Sequence, residues 1–279
     1  MAVSVKGIDH LVIRVRDLDA SEALYRKLGF ALTPRGFHAG RGSANHTAPF
    51  SGGNYFELLQ LPPDGDADFF PDAEGPVAIA LSPSDSRSIY AELTTLGYEV
   101  EAPRDLSRPV DLPEGVREAR FLNASFPRIA PEAVRWFACQ HLTRDLVWRP
   151  EWESHANGAE RLVEAIVVHP SPVLLQATYE KLFGEAVRYE RDCLVVALPA
   201  DTISFLSPSA FQARFPAIAL PAKSSVGWFA GAVFRAASRE RVEGVLSGAA
   251  IKFSRTPSGS IVVPPNEAAG AVLEFLAPA

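Results

Sequence analysis

Leu11, Ile13 and Val15 fall on one side of a period-two alternation and His10, Val12 and Arg14 on the other, the pattern of a half-buried strand. Asp17 or Asp19 can cap the helix that follows, in which Ala20, Leu24 and Leu28 form an apolar stripe. Gly29 stops that helix, and Phe30-Ala31-Leu32 resumes as strand. Gly42 to Phe50 predicts a third strand and Ser51-Gly52-Gly53-Asn54 a turn. Tyr55 to Leu61 predicts a fourth strand, ended by Pro62-Pro63. The order is strand, helix, strand, strand, strand.

That order returns. A linker rich in Pro, Asp and Gly runs from Pro62 to Gly75, after which Val77 to Leu81 predicts a strand. Ser84 caps a helix carrying Ile89, Leu93 and Leu96, and Gly97 stops it. Tyr98-Glu99-Val100 begins a strand, a polar insertion rich in Pro and Arg follows, and Arg117 to Phe126 and Ala133 to Leu142 supply two more. A third copy has a strand at Val163 to Val168 and a helix from Pro172 to Phe183. Short strands follow around Val187, at Cys193 to Leu198 and at Thr202 to Leu206. In the fourth, a strand at Val226 to Phe234 precedes a helix from Ser238 to Leu246, with strands at Ala250 to Phe253, Ser260 to Val263 and Ala271 to Leu276. Tyr179 to Gly184 echoes Tyr25 to Phe30, and the end of the chain through Glu274 echoes Tyr55-Phe56-Glu57-Leu58-Leu59. Such repetition predicts an α+β protein of four βαβββ units pairing into two domains. The division falls near Asn157-Gly158: residues 1–156 hold units 1–62 and 75–150, and residues 157–279 hold units 160–208 and 224–279.

Composition narrows the class. Of 279 residues, 47% are hydrophobic and 22% charged, an ordinary globular balance. The net charge of −6 and the lack of any Lys/Arg run speak against a nucleic-acid partner. Asp9, His10, Arg14 and Arg16 interrupt the N-terminal stretch where a secretory signal would need an apolar core, and no segment has the length to span a membrane. Two distant cysteines, Cys139 and Cys193, suit a reducing compartment, so a cytoplasmic protein is expected. Glycine-rich nucleotide loops and a nucleophile elbow are missing, which removes the nucleotide-binding and serine-hydrolase classes.

The repeated order, His10 in the first strand and Tyr55-Phe56-Glu57-Leu58 in the fourth together resemble the vicinal oxygen chelate superfamily, which includes glyoxalase I, extradiol dioxygenases and fosfomycin-resistance proteins. More narrowly, the run Cys139 to Trp152 followed by His155-Ala156-Asn157-Gly158-Ala159 is similar to a set of glyoxalase-like domain proteins. The resemblance covers most of the chain, more clearly its first two units. It implies that two units form a cupped sheet holding a divalent metal through first and fourth strands. Carried onto this chain, the metal ligands are His10, Glu57 and His141, with Cys139 as the alternative to His141. Ala78 and Ala80, at the first-strand positions of unit two, deny a fourth ligand. Two imidazoles and one carboxylate suit Fe, Mn, Zn or Ni with open positions. The implied activity is a metal-dependent lyase, isomerase or extradiol-type dioxygenase acting on a small molecule with vicinal oxygens. Proton transfer would fall to His46, or to Glu57 moving off the metal. The alternative is a metal-free protein of the same fold that sequesters a small ligand.

Each candidate has a plainer reading. A strand histidine is commonly a satisfied core residue, His141 at a strand end can cap a carbonyl, and His46 can be a surface residue beside a glycine-rich turn. His38 and His169 read as loop residues. Arg14 can hold an anionic group or simply be solvated. Trp136, Trp148 and Trp152 can wall a pocket or staple the linker to both halves. In the second half Glu274 repeats the ligand position, but Glu164, Ala165, Ser204, Trp228, Ala230 and Gly231 offer no histidine. That half is expected to serve packing, a lid or a homodimer contact.

Overall fold

The computed structural model describes residues 2–38, 42–62, 74–222 and 227–278. Unit one consists of β1 (Val5–Arg14), α1 (Leu18–Lys27), β2 (Gly36–Phe37), β3 (Ala44–Pro49) and β4 (Tyr55–Gln60). Unit two follows with β5 (Gly75–Pro83), α2 (Ser86–Thr95), β6 (Arg104–Leu112), β7 (Gly115–Ser125) and β8 (Arg135–His141). In each unit the helical crossover makes the first strand parallel to the fourth, and β1 and β5 join the two units antiparallel. The result is one mixed eight-stranded sheet, β2-β3-β4-β1-β5-β8-β7-β6.

A short helix α3 (Pro150–Glu153) leads to the second pair of units. Their first elements are β9 (Ala159–Val168), α4 (Gln176–Phe183), β10 (Val187–Glu190), β11 (Cys193–Ala197) and β12 (Thr202–Leu206). After α5 (Pro208–Arg214) come β13 (Trp228–Ala236), α6 (Arg239–Gly248), β14 (Ser254–Arg255), β15 (Ile261–Val263) and β16 (Val272–Leu276). The second sheet, β10-β11-β12-β9-β13-β16-β15-β14, repeats the first position by position. The architecture is α+β, as the fourfold pattern predicts.

The two sheets share one core. Leu11, Ile13, Phe56 and Ile79 from the first meet Leu162, Val167, Phe205 and Phe275 from the second, with Tyr25 of α1 and Tyr179 of α4 between them. Phe30 packs 5.5 Å from Phe234, and the Tyr25 hydroxyl donates to the Ala268 carbonyl at 3.1 Å. The face bearing Val12 therefore looks away from the shared core, with Leu59, Val77 and Ala78 beside it. That assignment of β1's two faces matches the alternation in the sequence.

Several elements depart from the pattern. On α1 the buried face is Leu18, Ser21, Tyr25 and Leu28, while Ala20 is exposed, because Tyr25 reaches across to the second sheet. Asp17 caps that helix by accepting from the Ala20 N–H, and Gly29 ends it with φ +90°. Phe30-Ala31-Leu32 is not strand; β2 is the two-residue Gly36–Phe37 beyond Pro34. Asp85, not Ser84, caps α2. The polar insertion of unit two is itself strand: β6 lies at the sheet edge, where Pro109 costs no ladder bond. The strand expected at Ala250 to Phe253 is displaced to Ser254–Arg255. Residues 63–73 of the linker and Val226 lie outside the described residues. No described helix is long and apolar enough to cross a membrane.

His155 locks the connection between the sheets. Its Nε2–H donates to the Pro49 carbonyl and its Nδ1 accepts from the Ala31 N–H, both at 2.9 Å, while its ring packs 4.8 Å from that of Phe50. Burial pushes its pKa down to about 4. The neutral ring is the folded form, so its stabilisation is complete above the usual value near 6.5 and is lost as pH falls toward 4. Urea melts should show a loss of up to about 3 kcal/mol across that window, and His155→Gln should flatten the profile.

Candidate functional site

Register decides which side chains meet. Tyr55, Ala80 and Phe137 stand level with His10 across the first sheet. Because β4 runs parallel to β1, Glu57 lies level with Val12, one side-chain step to one side of His10. Because β5 and β8 run opposite to β1, residues beyond Phe137 lie on the other side. His141 is four residues along, about 13 Å at the usual strand rise. The His141 side chain reaches back across that offset to Asp9, and among the described residues His10, Glu57 and His141 do not bring their ligand atoms within 4.8 Å of one another.

Glu57 and His10 do meet, at the wall of a cavity of about 660 Å³ on the face turned away from the shared core. His10 Nε2 lies 4.0 Å from Glu57 Oε2. The imidazole stacks on Tyr55 with centroids 4.3 Å apart and takes the edge of Phe137 at 5.4 Å. Glu57 Oε1 accepts the Asn45 amide at 2.6 Å, and His38 Nε2 is 3.7 Å from the same oxygen. A carboxylate can only accept, so the amide end of Asn45 faces Glu57 and its Oδ1 is turned away.

Behind His10 stands Asp9, which alternation alone puts on the opposite face. The ladder between β1 and β5 slips between Ile8 and His10, leaving Asp9 as the extra residue of a bulge. Its Oδ1 accepts from His10 Nδ1 at 2.7 Å and from His141 Nε2 at 3.0 Å. Both rings thus carry their proton on the nitrogen facing Asp9, and His10 is left with Nε2 toward the cavity. Burial alone would raise the Asp9 carboxyl, but His141 and His10 hold it well below the usual range, so it is ionised.

His141 is accordingly a partner of Asp9, wedged between Phe121 and Trp148 with centroids 4.9 and 4.8 Å from its own. Asp9, Cys139 and His141 bring their donor atoms within 4.8 Å of one another, close enough to hold a metal ion. Without an ion, Asp9 Oδ1 is shared by two rings, and burial with the nearby Asp9 and Glu57 charges pushes the Cys139 thiol well above its usual pKa.

His46 does not reach the cavity. It alternates with Asn45 and Thr47, which do line it, and therefore points to the helix side. There its Nδ1 bonds the Thr33 carbonyl at 2.8 Å and its Nε2 lies 3.3 Å from Glu22 of α1. The residue that sequence reasoning passed over is His38, placed at the cavity by the β2–β3 pairing. Trp136 packs on Tyr179 and Phe183 in the shared core, and Trp148 lies under the Arg144 guanidinium at 3.5 Å. No tryptophan is among the described residues lining the cavity.

The corresponding cup of the second sheet is filled. Phe211 and Phe215 of and beside α5 pack on Ile166, Ala230 and Val233. Arg214 bonds Glu164 through both terminal nitrogens, at 2.9 and 2.8 Å, and Glu274 through Nε and Nη2, at 3.0 and 2.6 Å. Burial works against the guanidinium charge, but the two carboxylates hold its pKa above the usual value. Ser207-Pro208 was the legible signal for α5, a cap followed by proline at the first helical position.

Residues 8–183 match the family model described as a glyoxalase-like domain. No curated protein matches the chain in sequence. Among solved structures, a hypothetical protein from Staphylococcus aureus superposes on 97% of this chain and 99% of its own, with a TM-score of 0.68 and 13% identity. The Mn(II)-bound glyoxalase from Novosphingobium aromaticivorans covers 98% of this chain with 82% of its own, at 0.59 and 13%. A substituted 4-hydroxymandelate synthase from Streptomyces coelicolor covers 99% with 93% of its own, at 0.60 and 13%. At these identities the likeness is one of fold.

Proposed function

The chain belongs to the glyoxalase-like domain family, and we propose that it is a metal-dependent enzyme acting on a small substrate with vicinal oxygens in the cup of its first sheet. The observation that carries this reading is the pair His10 Nε2 and Glu57 Oε2, 4.0 Å apart on the cavity wall. Two ligands of one ion, each bonded at about 2.0–2.2 Å, lie no more than about 4.4 Å apart, and this pair falls within that span. Each is also held from behind, His10 by Asp9 and Glu57 by Asn45, the support that metal-ligating side chains use. His141 contributes through Asp9 and not as a ligand. Two fold neighbours, a Mn(II)-bound glyoxalase and a 4-hydroxymandelate synthase, agree with this class.

A divalent metal bound there would supply a Lewis acid for negative charge developing on adjacent substrate oxygens. The chain's own residues do the rest. Glu57, on the cavity wall with its Oε1 held by Asn45, can take a proton from substrate carbon. His38, with a side chain 28% exposed and Nε2 3.7 Å from that oxygen, can pass it to solvent. His38 thus takes the part that the sequence alone gives to His46. Tyr55 and Phe137 flank His10 and keep water off it.

Calorimetric titration of chelator-treated protein with Mn(II), Fe(II) and Zn(II) should show one site per chain, weakened at least tenfold by Glu57→Gln. Oxygen uptake by the Fe(II) form would separate a dioxygenase from a lyase or isomerase. If no divalent ion binds while small molecules still enter the cup, the chain is a metal-free ligand-binding protein and the proposal fails.

A further inference from the structure

Arg108 is a charged side chain on a face that should be apolar. Along β6 it alternates inward with Val110 and Leu112, and it is only 6% exposed. Its guanidinium reaches the cavity wall beside Gly36. A Cβ on that glycine would lie 2.8 Å from Arg108 Nη1 and 2.4 Å from Asn45 Oδ1, so the bare backbone makes the space in which the two sit. Neither is satisfied by its neighbours. Among the described residues Arg108 has no hydrogen bond and no ion pair, and Asn45 Oδ1 is a buried acceptor without a donor, as is Asn123 Oδ1 on the opposite wall.

A guanidinium carries a fixed fork of donors, and burying it without an acceptor is expensive. Its nearest carboxylate, Glu57, lies beyond ion-pair distance, the Tyr55 phenol beside it is neutral, and burial pushes its pKa down. The cavity thus presents one unspent cation to whatever enters it, while Asn45 Oδ1 and Asn123 Oδ1 are sealed within its wall.

We infer that Arg108 is an anion-binding residue of the cup, selecting small acids that bear a carboxylate or phosphate. The acid group takes the fork of Arg108. This rests on the cup being the ligand cavity, as proposed above, but not on a metal being bound. Gly36 is the positioning residue, since any side chain there displaces the fork from Asn45.

The probes are lactate, malate and inorganic phosphate, with 1,2-propanediol as the neutral counterpart of lactate. Binding is measured by calorimetry and thermal shift on protein stripped with chelator and then dialysed free of it, because the chelator is itself a polycarboxylate. Wild-type protein should bind at least one acid, and bind lactate about tenfold or more tighter than the diol. Arg108→Gln should lose the preference, Arg108→Lys should keep part of it, and Gly36→Ala should weaken acid binding with Arg108 intact. Saturable acid binding unchanged in Arg108→Gln, equal binding of lactate and diol, or no acid binding to the wild type would each overturn the inference. As these titrations use metal-free protein, they can fail while divalent-ion binding at His10 and Glu57 succeeds, and the reverse. An unchanged circular dichroism spectrum for Arg108→Gln separates lost recognition from lost fold.

Discussion

Replacing Arg214 with methionine should lower stability by roughly 3–5 kcal/mol, among the largest single-residue effects in the chain. Arg214 is the counter-charge for Glu164 and for Glu274, whose side chain is 2% exposed. Removing it leaves two carboxylates facing each other in a cup closed by Phe211 and Phe215. Unfolding curves should show a midpoint lowered by about 10 °C at neutral pH. Arg214→Met combined with Glu164→Gln and Glu274→Gln should recover most of the loss, because a buried ion cluster is costly to break but not to replace whole. If the single variant melts like the wild type, the cluster is not what closes the cup.

That cluster also explains why the two halves differ. Glu274 sits in β16 where Glu57 sits in β4, yet α5 brings a cation and two aromatic rings to it. The cup of the first sheet holds a cavity instead. One half pairs its carboxylates with Arg214, while the other keeps His10, Glu57 and Arg108 on the wall of a cavity.

The fourfold order was legible because it depends on local signals: caps at Asp17 and Ser238, stops at Gly29 and Gly97, and alternation along each first strand. His10 and Glu57 were legible for the same reason, since period two fixes their face once the strand is assigned. What was not legible depended on departures from period two or on pairing between distant strands. The bulge that turns Asp9 toward His10 and His141 is set by the pairing of β1 with β5, which period-two alternation does not contain. His141 was placed by face alone, whereas its level along the sheet is set by the antiparallel joining of β1 and β5. His46 was given the wrong face because the third strand was read without its partner, and Pro109 hid an edge strand inside what looked like an insertion. Arg108 was lost with that strand.

Changing Asp9 and His10 in turn should produce a graded loss that a purely structural pair would not. His10→Ala removes a proposed ligand outright, so binding of Mn(II) followed by electron paramagnetic resonance should fall below detection at millimolar metal. Asp9→Asn leaves His10 in place but replaces the ionised acceptor of its Nδ1–H by a neutral amide, so affinity should fall about 10–100-fold. His141→Phe keeps the ring volume between Phe121 and Trp148 and removes one of the two N–H donors to Asp9. Asp9 then binds His10 alone, and the metal affinity should change less than in Asp9→Asn. The order His10, Asp9, His141 follows from distance to the cavity and is opposite to what a metal on Asp9, Cys139 and His141 would give. In that case His141→Phe and Cys139→Ser would do the greatest damage and His10→Ala the least.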